Sequence, residues 1–149
     1  MNNPRILIAA PASGSGKTMV TCGLLRALQR RGLVPASFKC GPDYIDPMFH
    51  TKVLGTHSRN LDTFFTDEEM TKYLFLKNSK GADISVMEGV MGYYDGLGGV
   101  SVTASAYDLS RATRTPSVLL VDARGSSVSI LAVVKGFLTY REDSLIKGV

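Results

Sequence analysis

Residues 5–18 read RILIAAPASGSGKT, and this stretch decides the fold class. The apolar run from Arg5 to Ala10 predicts a buried strand that ends at a turn rich in Pro, Ser and Gly. Apolar residues then recur at helical spacing from Lys17 to Arg31, and Gly32 is predicted to stop this helix. The sequence therefore predicts a strand, a Gly-rich turn and a helix in direct succession.

The turn PASGSGKT, Pro11 to Thr18, fits most of the phosphate-binding pattern G-x-x-x-x-G-K-[ST], although Pro11 stands where the first Gly is expected. In this pattern backbone amides surround the phosphates, the Lys reaches the β and γ phosphates, and the hydroxyl ligates Mg2+. An ordinary turn with a surface Lys is the alternative, but a position at a helix amino terminus favours phosphate. We therefore predict a site for ATP and Mg2+. Its predicted nucleotide contacts are Ser13, Gly14, Ser15, Gly16, Lys17 and Thr18.

Strands and helices alternate along the rest of the chain, which predicts an α/β fold of the P-loop NTPase type, a mostly parallel sheet with helices on both faces. A Thr66–Glu69 capping box is predicted to begin one of these helices. Because the sequence stops inside a predicted strand, we expect residues 1–149 to be one domain of a longer protein. The predicted elements are strands Val34 to Lys39, Asp83 to Met87, Ser117 to Val121 and one starting at Leu145, and helices Asp67 to Asn78, Thr103 to Ala112 and Ser127 to Thr139.

Acidic residues at predicted strand ends are candidates for the metal site, because ligands of open parallel sheets bind at the carboxyl ends of the strands. Glu88 follows the strand DISVM directly and precedes a Gly-rich segment, whereas Asp122 follows SVLLV. We rank Glu88 above Asp122, for which a helix cap is an equal alternative. The loop from Gly41 to Pro47 follows Lys39 and shares this edge with the phosphate loop, so a functional role is favoured over a simple turn.

Composition narrows the remaining function classes. The chain has 44% apolar residues and a formal charge of +4, but its basic residues are scattered, so no nucleic-acid partner is expected. No apolar run approaches the length of a membrane span, and a cytoplasmic protein is expected. Cys22 and Cys40 have no metal or disulfide spacing and are expected to be reduced thiols, while His50 and His57 are expected on the surface or in packing.

Five motifs, in this order, resemble the amino-terminal ATP-binding domain of the cobyrinic acid a,c-diamide synthase family, which is related to dethiobiotin synthetase. The resemblance covers nearly the whole chain, and its most specific parts are KCGPDYIDP and EGVMGYYDG. The motifs are IAAPASGSGKT (8–18), FKCGPDYIDPMFH (38–50), SRNLD (58–62), MEGVMGYYDG (87–96) and VLLVDARG (118–125).

The resemblance implies a glutamine-dependent amidotransferase of cobalamin biosynthesis. ATP would phosphorylate a carboxylate of the substrate, and ammonia from a separate glutaminase domain would displace the phosphate. That domain needs a Cys nucleophile paired with a His, and neither Cys22 nor Cys40 is expected to have this setting. By resemblance the catalytic residues are Lys39, Asp43 and Glu88, the metal residues are Thr18, Asp43 and Glu88, and the substrate residues are Tyr44, Asp46 and Asp95.

Three alternatives remain open at this point. Cobyric acid synthase and the enzyme that amidates nickel sirohydrochlorin would differ only in substrate. An ATPase switch of the ParA and MinD type is a different class, but it carries an additional Lys at the position of Ala12. The oligomeric state is open as well, with a homodimer as one alternative.

Overall fold

The structure is a computed structural model that describes residues 3–149. Helices and strands alternate along this part of the chain, with one short 3-10 turn at Leu97–Gly99. The strands are β1 (Arg5–Ala9), β2 (Pro35–Cys40), β3 (Ser58–Leu61), β4 (Ile84–Glu88), β5 (Ser117–Leu119) and β6 (Ile146–Gly148), and the helices are α1 (Lys17–Arg30), α2 (Ile45–Lys52), α3 (Glu68–Asn78), α4 (Ala106–Thr113) and α5 (Ile130–Thr139).

The strands form one six-stranded sheet in the order β3-β2-β4-β1-β5-β6. Every neighbouring pair is parallel. The carboxyl ends of all strands therefore lie along one edge, which carries the phosphate loop after β1 and the loop after β2. The predicted parallel α/β fold is confirmed.

Helices cover both faces of the sheet. Leu7 of β1 belongs to a buried cluster that includes Phe75 of α3 and Leu109 of α4. Its neighbour Ile8 belongs to a second cluster that includes Leu25 of α1. Successive strand residues point to opposite faces, so adjacent apolar residues in β1 serve two different cores. Each such buried side chain contributes about 1.5–3 kcal/mol to the free energy of unfolding.

Two elements were not predicted from the sequence. Helix α2 begins at Ile45, so the second half of the predicted loop Gly41 to Pro47 is helical. Pro47 lies in the first turn of α2, where its missing N–H is tolerated. Strand β3 reads SRNL and lies at the edge of the sheet, so it needs no continuous apolar run. The strand at Ile84–Glu88 is consequently the fourth along the chain.

Several predicted boundaries were also wrong. Asp67 caps α3, because its Oδ1 accepts a hydrogen bond of 2.8 Å from the backbone N of Met70. The predicted cap Thr66 instead donates its hydroxyl to the carbonyl oxygen of Asp62. Helices α4 and α5 each begin three residues later than predicted, and β5 ends two residues earlier. No helix within residues 3–149 is long and apolar enough to cross a membrane.

Candidate functional site

The phosphate loop joins β1 to α1 and depends on two glycines with left-handed backbone conformations. Gly14 has φ 75° and Gly16 has φ 83°, where other residues would be strained. A Cβ at either position would meet nothing within 4 Å. No side chain caps the amino end of α1, and its first turn carries no acidic residue. The positive end of the α1 dipole is therefore not neutralised by the described residues, which suits an anionic ligand.

Lys17 folds back over this loop. Its Nζ donates hydrogen bonds to the carbonyl oxygens of Ala12, at 2.9 Å, and Met91, at 2.7 Å. Burial, together with the charge of Lys39, lowers the pKa of Lys17 from its ordinary value. Since both acceptors are neutral carbonyls, the ammonium keeps its net charge beside the phosphate loop.

Glu88 is the last residue of β4 and its side chain is fully buried. Oε1 accepts a hydrogen bond of 2.6 Å from the Thr18 hydroxyl and one of 2.7 Å from Lys39 Nζ. A buried carboxylate is costly unless it is paired and hydrogen bonded. The strand register supplies this pairing, because Lys39 of β2 lies directly beside Glu88 in the sheet.

Lys39 links Glu88 to the loop after β2. Its Nζ lies 2.6 Å from Asp46 Oδ2 and 3.9 Å from Asp43 Oδ2. Burial alone would lower the pKa of Lys39, but the hydrogen bonds to Asp46 and Glu88 outweigh it and raise the pKa. The structure thus brings Thr18, Lys39, Asp46 and Glu88 into one connected cluster, which we call the carboxylate cluster.

The carboxylate cluster fits a magnesium ion shared with phosphate. Glu88 Oε2 is buried and has no hydrogen-bond partner within the described structure. The other oxygen of this carboxylate, Oε1, accepts the Thr18 hydroxyl. The Glu88 carboxylate and the Thr18 hydroxyl thus offer neighbouring oxygen atoms, which are the ligands that Mg2+ prefers. Residues 3–149 contain no group of three or more His, Cys, Asp or Glu side chains placed to hold a metal.

Three further predicted site residues lie in the loops after β2 and β4. Asp43 Oδ1 accepts a hydrogen bond of 2.8 Å from the backbone N of Ile45, at the start of α2. Tyr44 is 75% exposed at the tip of the loop. Asp95 lies in the loop after β4, where its Oδ2 accepts a hydrogen bond of 2.9 Å from the backbone N of Gly92. Their roles in binding stay predictions.

Asp122 has a different partner from Glu88. Its carboxylate is exposed and forms an ion pair of 2.6 Å with Arg124. Hydrogen bonds from Arg124 lower the pKa of Asp122. The contacts of the two acidic residues therefore favour Glu88 over Asp122 as the metal candidate.

The sequence did not reveal one contact of the site. His50 is fully buried, with Nδ1 at 2.9 Å from Ser37 Oγ and Nε2 at 3.4 Å from Cys22 Sγ. This contact was not predicted from the sequence, because the two residues lie on different helices and meet only in the fold. Burial raises the pKa of the Cys22 thiol and lowers the pKa of His50. The pair is therefore a neutral thiol and a neutral imidazole, which is not an activated nucleophile.

The other predictions for His and Cys agree with the structure. His50 packs in the interior and His57 is exposed. Cys22 and Cys40 are free cysteines. Burial raises the pKa of Cys40 to about 12, so its thiol is protonated at neutral pH.

A parallel sheet with a Gly-rich loop, a Lys and a Thr at the start of α1 defines a P-loop nucleotide-binding domain. Residues 6–140 match the family described as CobQ/CobB/MinD/ParA nucleotide binding domain, CbiA. The chain belongs to this family.

Curated relatives align with nearly the whole chain. It is 47% identical over 98% of its length to hydrogenobyrinate a,c-diamide synthase of Streptomyces coelicolor. It is 47% identical over 97% of its length to cobyrinate a,c-diamide synthase of Listeria innocua, and 42% identical over all of it to that of Thermoplasma acidophilum. The chain spans 30% to 33% of the length of these relatives.

Proposed function

We propose that this chain is the ATP- and Mg2+-binding part of a glutamine-dependent amidotransferase. In this proposal it activates the a and c carboxylates of a cobyrinic acid by phosphorylation, and ammonia then displaces the phosphate to give the amides. The observation that carries the proposal is the carboxylate cluster, which lies between the phosphate loop and the acidic loop after β2. The names of the relatives supply the substrate class.

The proposed roles follow from the contacts of each side chain. Lys17 and the amides of Ser13 to Thr18 bind the phosphates, as in other P-loops. Thr18 and Glu88 would hold Mg2+, and Asp43, whose Oδ2 lies 3.9 Å from Lys39 Nζ, would be a further oxygen donor. When bound, Mg2+ neutralises negative charge on the phosphates during transfer.

Lys39 suits the role of a clamp on the transferred phosphoryl group. Burial lowers the pKa of Lys39, but its hydrogen bonds to Asp46 and Glu88 raise this pKa by more, so the ammonium is stabilised. Phosphoryl transfer depends mainly on positioning and on charge stabilisation. A buried ammonium beside Glu88 and Thr18, with a raised pKa, would contribute to both without a covalent step on the protein.

The loop after β2 suits a large, partly apolar substrate. Tyr44 and Ile45 at its tip are exposed, and so are Phe64 and Phe65 after β3. Gly41, Asp62 and Phe65 line one cavity of about 430 Å³ with Met91 of the loop after β4. Such an open, mostly apolar surface in the loops after β2, β3 and β4 suits a macrocycle that presents a carboxylate to the phosphate site.

An assay of the full-length protein tests the proposal. Cobyrinic acid, ATP, Mg2+ and either glutamine or ammonia are supplied, and amide products and ADP are measured together. We expect ADP and amide in equal amounts, with the first product carrying one amide and the final product two. Hydrogenobyrinic acid in a parallel reaction decides whether the macrocycle needs cobalt. ATP turnover that is stimulated by DNA and yields no amide would instead support a switch ATPase.

A further inference from the structure

The environment of helix α2 connects the phosphate helix to the acidic loop through one residue. His50 is the only buried residue among the eight residues of α2. The apolar side chains of Ile45, Met48 and Phe49 are exposed instead. No apolar side chain of α2 is therefore buried, and the polar contacts of His50 are the buried attachment of its middle.

The contacts of His50 repeat those of the carboxylate cluster one helical turn further from the phosphate loop. Asp46 and His50 are four residues apart on α2 and share one face. Asp46 meets Lys39 of β2, and His50 meets Ser37, two residues earlier on the same face of β2.

Helix α1 shows the same spacing on its side of the site. Thr18 and Cys22 are four residues apart, and they contact Glu88 and His50, respectively. We call Cys22, Ser37 and His50 the second layer, because it lies behind the carboxylate cluster. The second layer connects α1, β2 and α2. The carboxylate cluster connects the same three elements and also β4.

A second pair of hydrogen bonds fixes the far end of α2. Gln29 of α1 donates its amide to the carbonyl oxygen of Leu54, at 2.7 Å, and to Thr56 Oγ1, at 3.0 Å. The backbone N of Thr56 donates to the carbonyl oxygen of His50. The carboxyl end of α2 is thus held independently of the first turn, and His50 is the buried contact between this end and Asp46.

We propose that His50 is a positioning residue for the reaction, which sets the place of Asp46 against Lys39 through its bonds to Ser37 and Cys22. The kinetic test of this inference rests on the proposed function, because it measures amidation. Asp46 is on the first turn of α2, so a shift of this helix moves its carboxylate away from Lys39. Displacements of about 1 Å at such positions can cost on the order of 100-fold in rate.

Three substitutions of His50 in the full-length protein separate its two hydrogen bonds. His50→Leu removes both, His50→Asn keeps a polar group near the place of Nδ1 facing Ser37, and His50→Gln keeps one near Nε2 facing Cys22. We expect His50→Leu to lower kcat for amidation by about 10- to 100-fold. ATP affinity should stay within about twofold, since the phosphate loop is untouched. His50→Asn should recover most of the rate. The matched control is His57→Asn, at an exposed His.

A double-mutant cycle with Asp46→Ala tests whether His50 acts through Asp46. Residues that act as a unit are not additive, so His50→Leu should cost less than about threefold in the Asp46→Ala background. An equal loss of kcat in both backgrounds would overturn the proposal. If His50→Leu does not fold, the same cycle is run with Ser37→Ala, which removes one partner of the imidazole.

Hydrogen exchange provides a readout that does not need the proposed reaction. His50→Leu should speed exchange of the amides in Ile45–Lys52 relative to wild type, while those of α4 stay unchanged. Unaltered exchange in α2 would overturn the positioning role even if the wild-type protein amidates no corrinoid. A wild-type protein without amidation, but with faster exchange in His50→Leu, would contradict the proposed function and keep the role of His50 in placing α2.

Discussion

Lys17 Nζ donates a hydrogen bond of 2.7 Å to the carbonyl oxygen of Met91, which lies 74 positions further along the chain. Met91 has φ 49°, an uncommon backbone conformation for a residue with a side chain. The bond joins the phosphate loop after β1 to the loop after β4 that carries Asp95. Lys17 is therefore held over the phosphate loop by neutral oxygens, and its charge remains available to a phosphate.

Replacing Lys17 by Ala should remove most of the ATP affinity and leave the fold intact. A hydrogen bond to a charged group contributes about 1.5–3 kcal/mol, so we expect affinity to fall by about 10- to 150-fold. Isothermal titration calorimetry measures this, and circular dichroism reports on folding. Lys80→Ala, at an exposed position before β4, is the control. Unchanged affinity in a folded Lys17→Ala protein would place the phosphate site elsewhere.

Replacing Glu88 by Gln should weaken the Mg2+ dependence of ATP binding more than replacing Asp122 by Asn. Each change removes one carboxylate charge at nearly constant shape. Glu88 is bonded to Thr18, whereas Asp122 is bonded to Arg124 at the surface. Titration of Mg2+ against bound ATP compares both variants with wild type, and Glu88→Gln should need about tenfold more Mg2+. The opposite ranking would transfer the metal role to Asp122.

Much of the fold follows from local sequence, and the exceptions have physical reasons. The segment RILIAAPASGSGKT predicts β1, the loop and α1 because apolar period and glycine conformation are local properties. Helix α2 was missed because Ile45–Lys52 carries Pro47 and buries only His50, so it shows no apolar stripe. Strand β3 was missed because an edge strand needs little apolar sequence.

The sequence predicts site residues that lie at the ends of strands. It does not predict contacts between helices and strands that are distant in sequence. Glu88 follows from its place at the end of β4 and Lys39 from the family resemblance, although their ion pair requires the strand register. Cys22 and His50 are 28 positions apart in sequence, and their contact joins α1 to α2. No local pattern predicts such a contact.

Replacing Gly92 by Ala should destabilise the loop after β4. A Cβ at Gly92 would lie 2.5 Å from the carbonyl oxygen of Pro11 and 2.5 Å from Asp95 Oδ2. Such overpacking costs about 1–3 kcal/mol in the free energy of unfolding. Gly23→Ala in α1 is the matched control, since its Cβ meets nothing within 4 Å and Ala favours a helix by about 0.5–1 kcal/mol. Urea denaturation should show a lower free energy of unfolding for Gly92→Ala and a higher one for Gly23→Ala. Changes of the same sign in both variants would contradict the close approach at Gly92.

Replacing Tyr44 or Asp46 by Ala in the full-length protein should impair amidation and spare ATP binding. Asp46 lies 2.6 Å from Lys39, and Tyr44 is exposed beside it at the loop tip, whereas neither belongs to the phosphate loop. Because a misplacement of about 1 Å can cost on the order of 100-fold, we expect kcat to fall by about 10- to 100-fold for Asp46→Ala. Calorimetry with ATP and a kinetic assay with cobyrinic acid measure the two activities separately. Tyr73→Ala, at an exposed Tyr on α3, is the control. Wild-type amidation by both variants would mean that the segment after β2 has no role in the reaction, and the substrate assignment would lose its main structural support.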